Sequence, residues 1–226
     1  MKTVELKLPN FGSLSEQQFL LSAPSTVDTV RELPIIEFVA SLMDKNREQG
    51  ILIDAGSHVG FYAIPLSGLF DRVIAFEPSR IQRALLQENI LNNKITNVIV
   101  KDCALGESED TMSLKVTGNS GGSNTLGIPT NGLPPMDIYE VDVYSLDYFN
   151  LKDVDFIKID VEGWELQVLN GSIHTLLTSK PQVLIEVWND DAQRGLIKEY
   201  FDKVSYTFDF IFPEFPELAY CKPKKY

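Results

Sequence analysis

At 226 residues, 44% of them hydrophobic and 23% charged, the chain suits one α/β domain with a modest extension and can bury enough core to fold without disulfides or a structural metal. Its net charge of -12 argues against a partner gripped by its phosphates: the only basic cluster is Lys222, Lys224 and Lys225, and nucleic acid is not an expected partner. Cys103 and Cys221 make no disulfide framework and suit a reducing compartment; with no apolar leader in Met1–Pro9 and no run of membrane-spanning length, a cytoplasmic location is expected.

Residues 1–48 read as an N-terminal helical extension to a domain over 49–226. Ser13 and Glu16 have capping-box spacing. Pro34 suits a first helical turn, and Ile35, Phe38, Val39 and Leu42 recur at helical spacing until Gly50. Short apolar runs then alternate with amphipathic stretches. Strands are predicted at 51–54, 73–76, 98–101, 156–160 and 183–186, and helices at 59–69, 81–91, 166–177 and 192–201. Such alternation implies βαβ units and a parallel sheet. Tyr206–Phe212 and Leu218–Cys221 flank a Pro-containing turn and read as a hairpin with an antiparallel edge strand. Between predicted strands 111–116 and 138–143, the stretch Val116–Asp137 is rich in Gly, Pro, Ser and Asn and reads as a lid closing over a ligand.

Three motifs carry chemistry. In Ile51-Leu-Ile-Asp54-Ala-Gly56-Ser57-His58-Val-Gly60, an apolar strand ends on an acid and a glycine-rich turn opens a helix. The middle glycine of the dinucleotide pattern is replaced by His58, and Asp54 would repel a diphosphate, so a cationic sulfonium with an ammonium group fits better. Glu77, followed by Pro78, ends the next strand where an acid bonds a ribose diol. In Val154-Asp155-Phe156-Ile157-Lys158-Ile159-Asp160-Val161-Glu162-Gly163-Trp164-Glu165, strand alternation puts Lys158 and Asp160 on one face and Ile157 and Ile159 on the other. A Lys158 buried there needs a carboxylate.

Taken in order, Asp54-Ala-Gly56-x-x-x-Gly60, Phe76-Glu77-Pro78, Asn89 with Asn92, Ala104-Leu-Gly106, Ser145-Leu-Asp147 and Lys158-Ile-Asp160-Val-Glu162-Gly163-x-Glu165 running to Gly171 resemble the FkbM-type methyltransferases over about residues 50–190. His58 departs from the pattern, which more often has Asn. The resemblance implies a Rossmann-like class I methyltransferase fold, with a mostly parallel seven-stranded sheet ending in a C-terminal antiparallel hairpin. It implies S-adenosylmethionine as donor, S-adenosylhomocysteine as product, and a sugar or small-molecule hydroxyl as acceptor.

The expected cofactor-binding residues are Asp54, Gly56, Ser57, His58, Gly60, Glu77 and Pro78. Asp102, Cys103 and Ala104 join them, at the turn that meets the adenine in Rossmann-like methyltransferases. An aliphatic hydroxyl is a poor nucleophile and profits from a proton acceptor. Asp160, Glu162, Lys158 and Glu186 are the candidate catalytic residues. Asp160 leads as base or orienting group, with a structural ion pair to Lys158 as its alternative. Asp160, Glu162 and Glu186 could instead share a divalent cation, although no ligand spacing is diagnostic. His174 reads as a surface or packing residue. A non-catalytic S-adenosylmethionine-binding module and a nicotinamide-dependent oxidoreductase are the competing readings.

Overall fold

Apolar runs of four to six residues leave little room for polar alternation, and they build a sheet covered on both faces. The computed structural model describes residues 2–8, 17–23, 32–43, 50–117, 124–126, 135–188 and 190–225. Its elements are β1 (Lys2–Leu8), β2 (Gln17–Ala23), α1 (Leu33–Leu42), β3 (Ile51–Ala55), α2 (Ala63–Leu66), β4 (Arg72–Phe76), α3 (Arg80–Asn92), β5 (Val98–Lys101), β6 (Ala104–Leu105), β7 (Asp110–Val116), β8 (Thr125–Leu126), β9 (Asp137–Tyr144), β10 (Val154–Ile159), α4 (Glu165–Asn170), α5 (Ile173–Thr178), β11 (Gln182–Glu186), α6 (Asp191–Lys203) and β12 (Leu218–Cys221).

The main sheet has the order β12-β11-β10-β3-β4-β5. Its pairings from β11 through to β5 are parallel, and β12 runs antiparallel to β11. Side chains alternate between two cores. Leu52, Val73, Ala75, Phe156 and Leu184 pack toward α1, α2 and α3. Ile53, Ile74, Phe76, Ile157, Ile159, Val183 and Ile185 pack toward Val168 and Leu169 of α4, Leu176 of α5, and Ile197 and Phe201 of α6. Each such aliphatic side chain contributes about 1.5–3 kcal/mol by leaving water.

Two expectations need correction. The main sheet has six strands among the described residues, not seven. Tyr206–Phe212 adds only two isolated bridges, Tyr206 to Pro223 and Asp209 to Tyr220. Pro223 has no N–H to give a ladder opposite Tyr206, and Tyr206 is instead drawn into the core, its hydroxyl donating to Leu176 O at 3.1 Å. The N-terminal extension is not wholly helical either: β1 and β2 form an antiparallel pair before α1. Alternating charged and apolar residues in 2–8 suit a strand with one covered face, and Val4, Phe19 and Leu21 are its buried positions. The Ser13–Glu16 spacing lies outside the described residues.

Smaller differences follow from single residues. The helix expected over 59–69 is reduced to α2 and a 3-10 turn at Ser67–Leu69, because Pro65 has no amide to give residue 61. The helix expected over 166–177 is divided into α4 and α5 at Gly171–Ser172. A second sheet, β6-β9-β7-β8, stands beside the main one. It anchors both ends of the Val116–Asp137 stretch, most of which, including 118–123 and 127–134, lies outside the described residues.

The β1–β2 pair is held to the domain by the amide side chains of α3. Asn89 is fully buried; its Oδ1 accepts from Ser22 N at 2.7 Å, and its Nδ2 donates to Ser22 O at 3.0 Å and Val59 O at 2.9 Å. Asn93 repeats the clasp on Leu20 N and O. Asn89→Ala should therefore lower unfolding free energy by about 2–4 kcal/mol, since it leaves buried peptide groups unpaired. Urea denaturation should show Asn89→Ala losing clearly more than Asn93→Ala, and equal small losses would refute the clasp.

Candidate active site

At the carboxyl ends of β3, β4, β10 and β11 lies a cavity of about 260 Å³. Its floor is set by strand register. Lys158 of β10 stands opposite Asp54 of β3 in the parallel pairing, so both side chains rise on the same face. Lys158 Nζ donates to Asp160 Oδ2 and to Gly56 O, each at 3.1 Å, and lies 3.8 Å from Asp54 Oδ1. Burial alone would lower the Lys158 pKa, but Asp160, Asp54 and Glu32 outweigh it and keep the ammonium charged. Asp54 is wholly buried, and burial raises its carboxyl against the pull of Lys158. Its Oδ2 accepts from Ala63 N at 3.2 Å, whereas Oδ1 has no hydrogen-bond donor among the described residues.

The glycine turn is shaped by contact. A Cβ on Gly56 (φ 76°) would stand 1.8 Å from Asp160 O, so the turn after β3 and the end of β10 touch backbone to backbone. Gly60 (φ 96°) makes room for Leu86 and Ile64 instead, and does not line the cavity. Glu77, buried at the end of β4, accepts from His58 N and Ser79 N at 2.8 Å each. Burial nevertheless pushes its carboxyl up to about 7. His58 holds φ 52° above it.

Asp160 and Glu186 share a side-chain hydrogen bond. Burial would raise Asp160, but Lys158 and the Glu186 contact bring it below its usual range, whereas burial and the Asp160 charge push Glu186 up to about 10. Asp160 therefore carries the charge of the pair and Glu186 the proton. Glu162 (φ 56°) is pushed up to about 8 by burial and by Asp160 and Glu165. Glu165 is structural: it accepts from Gly163 N at 2.9 Å and Gln193 Nε2 at 3.0 Å, and burial lifts it to about 7.

Of the residues expected from sequence, Gly56, Ser57, His58, Glu77, Pro78, Ala104, Lys158, Asp160, Glu162 and Glu186 line this one cavity. Asp54, Gly60, Asp102 and Cys103 do not. Asp54 supports Lys158 from below, and Asp102 is exposed. Cys103 points into the core of the α4–α6 face, its thiol pushed up to about 11 chiefly by burial. His174 is exposed, as expected. Glu32, Phe61, Tyr62, Leu105, Leu114, Asn124 and Leu126 also line the cavity. Of these, Asn124 and Leu126 belong to the Val116–Asp137 stretch and Leu105 to the Ala104-Leu-Gly106 motif, whereas Glu32 belongs to no motif that the sequence singles out. Among the described residues no group of three or more His, Cys, Asp or Glu side chains is arranged to hold a metal ion.

Glu77, Glu162, Glu165 and Glu186 keep protons in the folded state to about pH 7, 8, 7 and 10, whereas the unfolded chain releases them near 4.5. Between pH 5 and 8 the native state thus binds more protons, and stability must fall as pH rises. Thermal denaturation should give a higher Tm at pH 5.5 than at pH 8, with a shallower fall in Glu162→Gln. A Tm that rises over this range would overturn these protonation states.

Residues 54–220 match the family model for the methyltransferase FkbM domain. A curated relative, the methyltransferase sdnD of Sordaria araneosa, is 25% identical over 181 residues, covering 65% of this chain and 70% of its own. The crystal structure of a methyltransferase FkbM from Methylobacillus flagellatus superposes with a TM-score of 0.58 at 18% identity over 85% of this chain, which spans only about half, 54%, of that protein. A precorrin-6y C5,15-methyltransferase from Geobacter metallireducens gives 0.54 at 12% identity, covering 89% of this chain and 91% of its own. The two structural likenesses are likenesses of fold.

Proposed function

The chain belongs to the methyltransferase FkbM family, and from that premise we propose that it is an S-adenosylmethionine-dependent O-methyltransferase acting on a hydroxyl of a sugar, glycan or small metabolite. The observation that carries this reading is the continuity of the cavity from Glu77, past Gly56, to the Asp160–Glu186 pair. A cationic donor suits its walls: Glu32 and Asp160 on the cavity, with Asp54 beneath them, share one buried cation, Lys158. Bound there, S-adenosylmethionine would supply a methyl group already activated by its positive sulfur.

Glu77 is the ribose ligand in this reading, because each of its oxygens keeps a lone pair beyond the one taken by a loop amide. Phe76, Leu105 and Leu126 offer apolar surface beside it. Asp160, a third exposed and held ionised by Lys158, accepts the acceptor hydroxyl's hydrogen bond and aims its oxygen. So stabilised a carboxylate is a weak base. Glu162, pushed up to about 8, is the stronger base once ionised: in that form, which grows as pH rises toward and past 8, it takes the proton that the hydroxyl gives up as the oxygen–carbon bond forms and the sulfur–carbon bond of the donor breaks. Asn124, with the polar sequence around it, is what favours a polyhydroxylated acceptor over an aromatic or lipid one.

At pH 8, above the Glu77 value of about 7, Glu77→Ala should weaken S-adenosylhomocysteine binding in calorimetry by about 1.5–3 kcal/mol, the value of charge-assisted bonds. Unchanged affinity would move the ribose elsewhere. Asp160→Asn should lower kcat about a hundredfold or more and leave S-adenosylhomocysteine affinity within a few fold. Turnover by the folded variant at the wild-type rate would remove Asp160 from the mechanism. Release of S-adenosylhomocysteine across monosaccharides, glycans and simple alcohols tests the acceptor class, and turnover confined to non-carbohydrate acceptors would refute the sugar assignment.

A further inference from the structure

The N-terminal extension places one carboxylate in the cavity, and nothing in the motif region accounts for it. Glu32 immediately precedes α1 and is fixed from both sides. Its carbonyl accepts from Ile35 N at 3.0 Å and Ile36 N at 3.1 Å, and α1 is pinned by the buried Ile35, Ile36, Val39 and Ala40. Its carboxylate hydrogen-bonds to Tyr62, whose buried ring lies 5.1 Å from Lys158 Nζ. Glu32, Tyr62, Gly56, Lys158 and Asp160 thus meet on one wall of the cavity.

Around that wall gather more carboxyls than the one ammonium of Lys158 can balance as anions, and burial raises Glu32 and Asp54 accordingly. The two closest acceptors of its protons are Gly56 O and Asp160 Oδ2, and Asp54 Oδ1 follows at 3.8 Å. Glu32 feels the charge of Lys158 but makes its hydrogen bond with Tyr62, and its remaining lone pairs keep capacity for a further cation in the cavity. Position then says which cation. Glu77 follows β4, whereas Lys158 lies on β10 and Asp160 just past its end, two places along in the order β10-β3-β4, roughly 10 Å at the usual strand spacing. A donor whose ribose rests on Glu77 therefore directs its amino-acid end toward Glu32.

Resting on the donor assignment above, we propose that Glu32 binds the α-ammonium group of S-adenosylmethionine, making the N-terminal extension part of the donor site. Glu32→Gln keeps an acceptor for Tyr62 and removes the charge. Calorimetry should use two ligands: S-adenosylhomocysteine, and 5′-methylthioadenosine, which shares the nucleoside but has no amino-acid chain. The variant should bind S-adenosylhomocysteine about tenfold or more weakly and bind 5′-methylthioadenosine as the wild type does. Unchanged S-adenosylhomocysteine affinity, or equal losses for both ligands, would overturn the role of Glu32 and leave the donor assignment standing. Wild-type protein that binds neither ligand would overturn both.

Discussion

The site depends on one buried cation. Lys158 is 5% exposed in a central strand of the sheet, a position that costs several kcal/mol unless the charge is matched. Register supplies Asp54 beside it, and the end of its own strand supplies Asp160. The match is unequal, with more carboxyls than ammonium groups: burial, with the Asp160 charge beside them, keeps protons on Glu186 and Glu162 up to about pH 10 and 8, and Asp54 keeps one oxygen without a hydrogen-bond donor among the described residues. Burial and the charges of Lys158 and Asp160 together thereby sort several chemically similar carboxyls into ones that ionise early and ones that hold their protons.

Around this centre the layers have separate tasks. The α4–α6 face is packed by aliphatic and aromatic residues and serves as foundation. The opposite face carries the β1–β2 pair, α1 and α3, tied together by Asn89 and Asn93. The second sheet adds a third wall: Tyr139 of β9 accepts from Arg80 N at 2.9 Å, its ring lies 4.2 Å from the Arg80 guanidinium, and Leu114 and Leu126 reach the cavity. Three independent pieces of chain thus converge on the edge of the main sheet, where open α/β sheets bind their ligands.

The parallel core was legible because buried central strands read as unbroken apolar runs, and Ile51–Asp54, Val73–Phe76 and Phe156–Ile159 are such runs. Alternation around Lys158 was legible for the same reason, since a strand has a period of two. The strands of the extension were harder to see: Lys2–Leu8 and Gln17–Ala23 pair with each other, and the groups that tie them to the domain, Asn89 and Asn93, lie some 70 positions away. Glu32 and Tyr62 carried no signal, because their meeting is made by tertiary packing. Asp102 and Cys103 were assigned by analogy with other folds of this kind; in this chain the backbone bends into β6 just after them, buries the thiol, and offers Ala104 and Leu105 to the cavity instead. Gly60 had the spacing of a ligand-binding glycine and turned out to be a packing glycine against Leu86.

The backbone contact between Gly56 and Asp160 has a mechanical meaning. No side chain separates the two turns, and Asp160 N also donates to Ala55 O at 3.1 Å, so one peptide cannot shift without pushing the other. Interiors packed this closely transmit displacement rather than absorb it. The turn beside the proposed donor and the backbone that carries the carboxylate proposed to aim the acceptor are therefore coupled directly, peptide against peptide. Displacement at carbon tolerates little error, since an ångström of misplacement can cost about a hundredfold in rate. The missing methyl group of one glycine acts as a gauge block that sets how closely the turn after β3 approaches the end of β10.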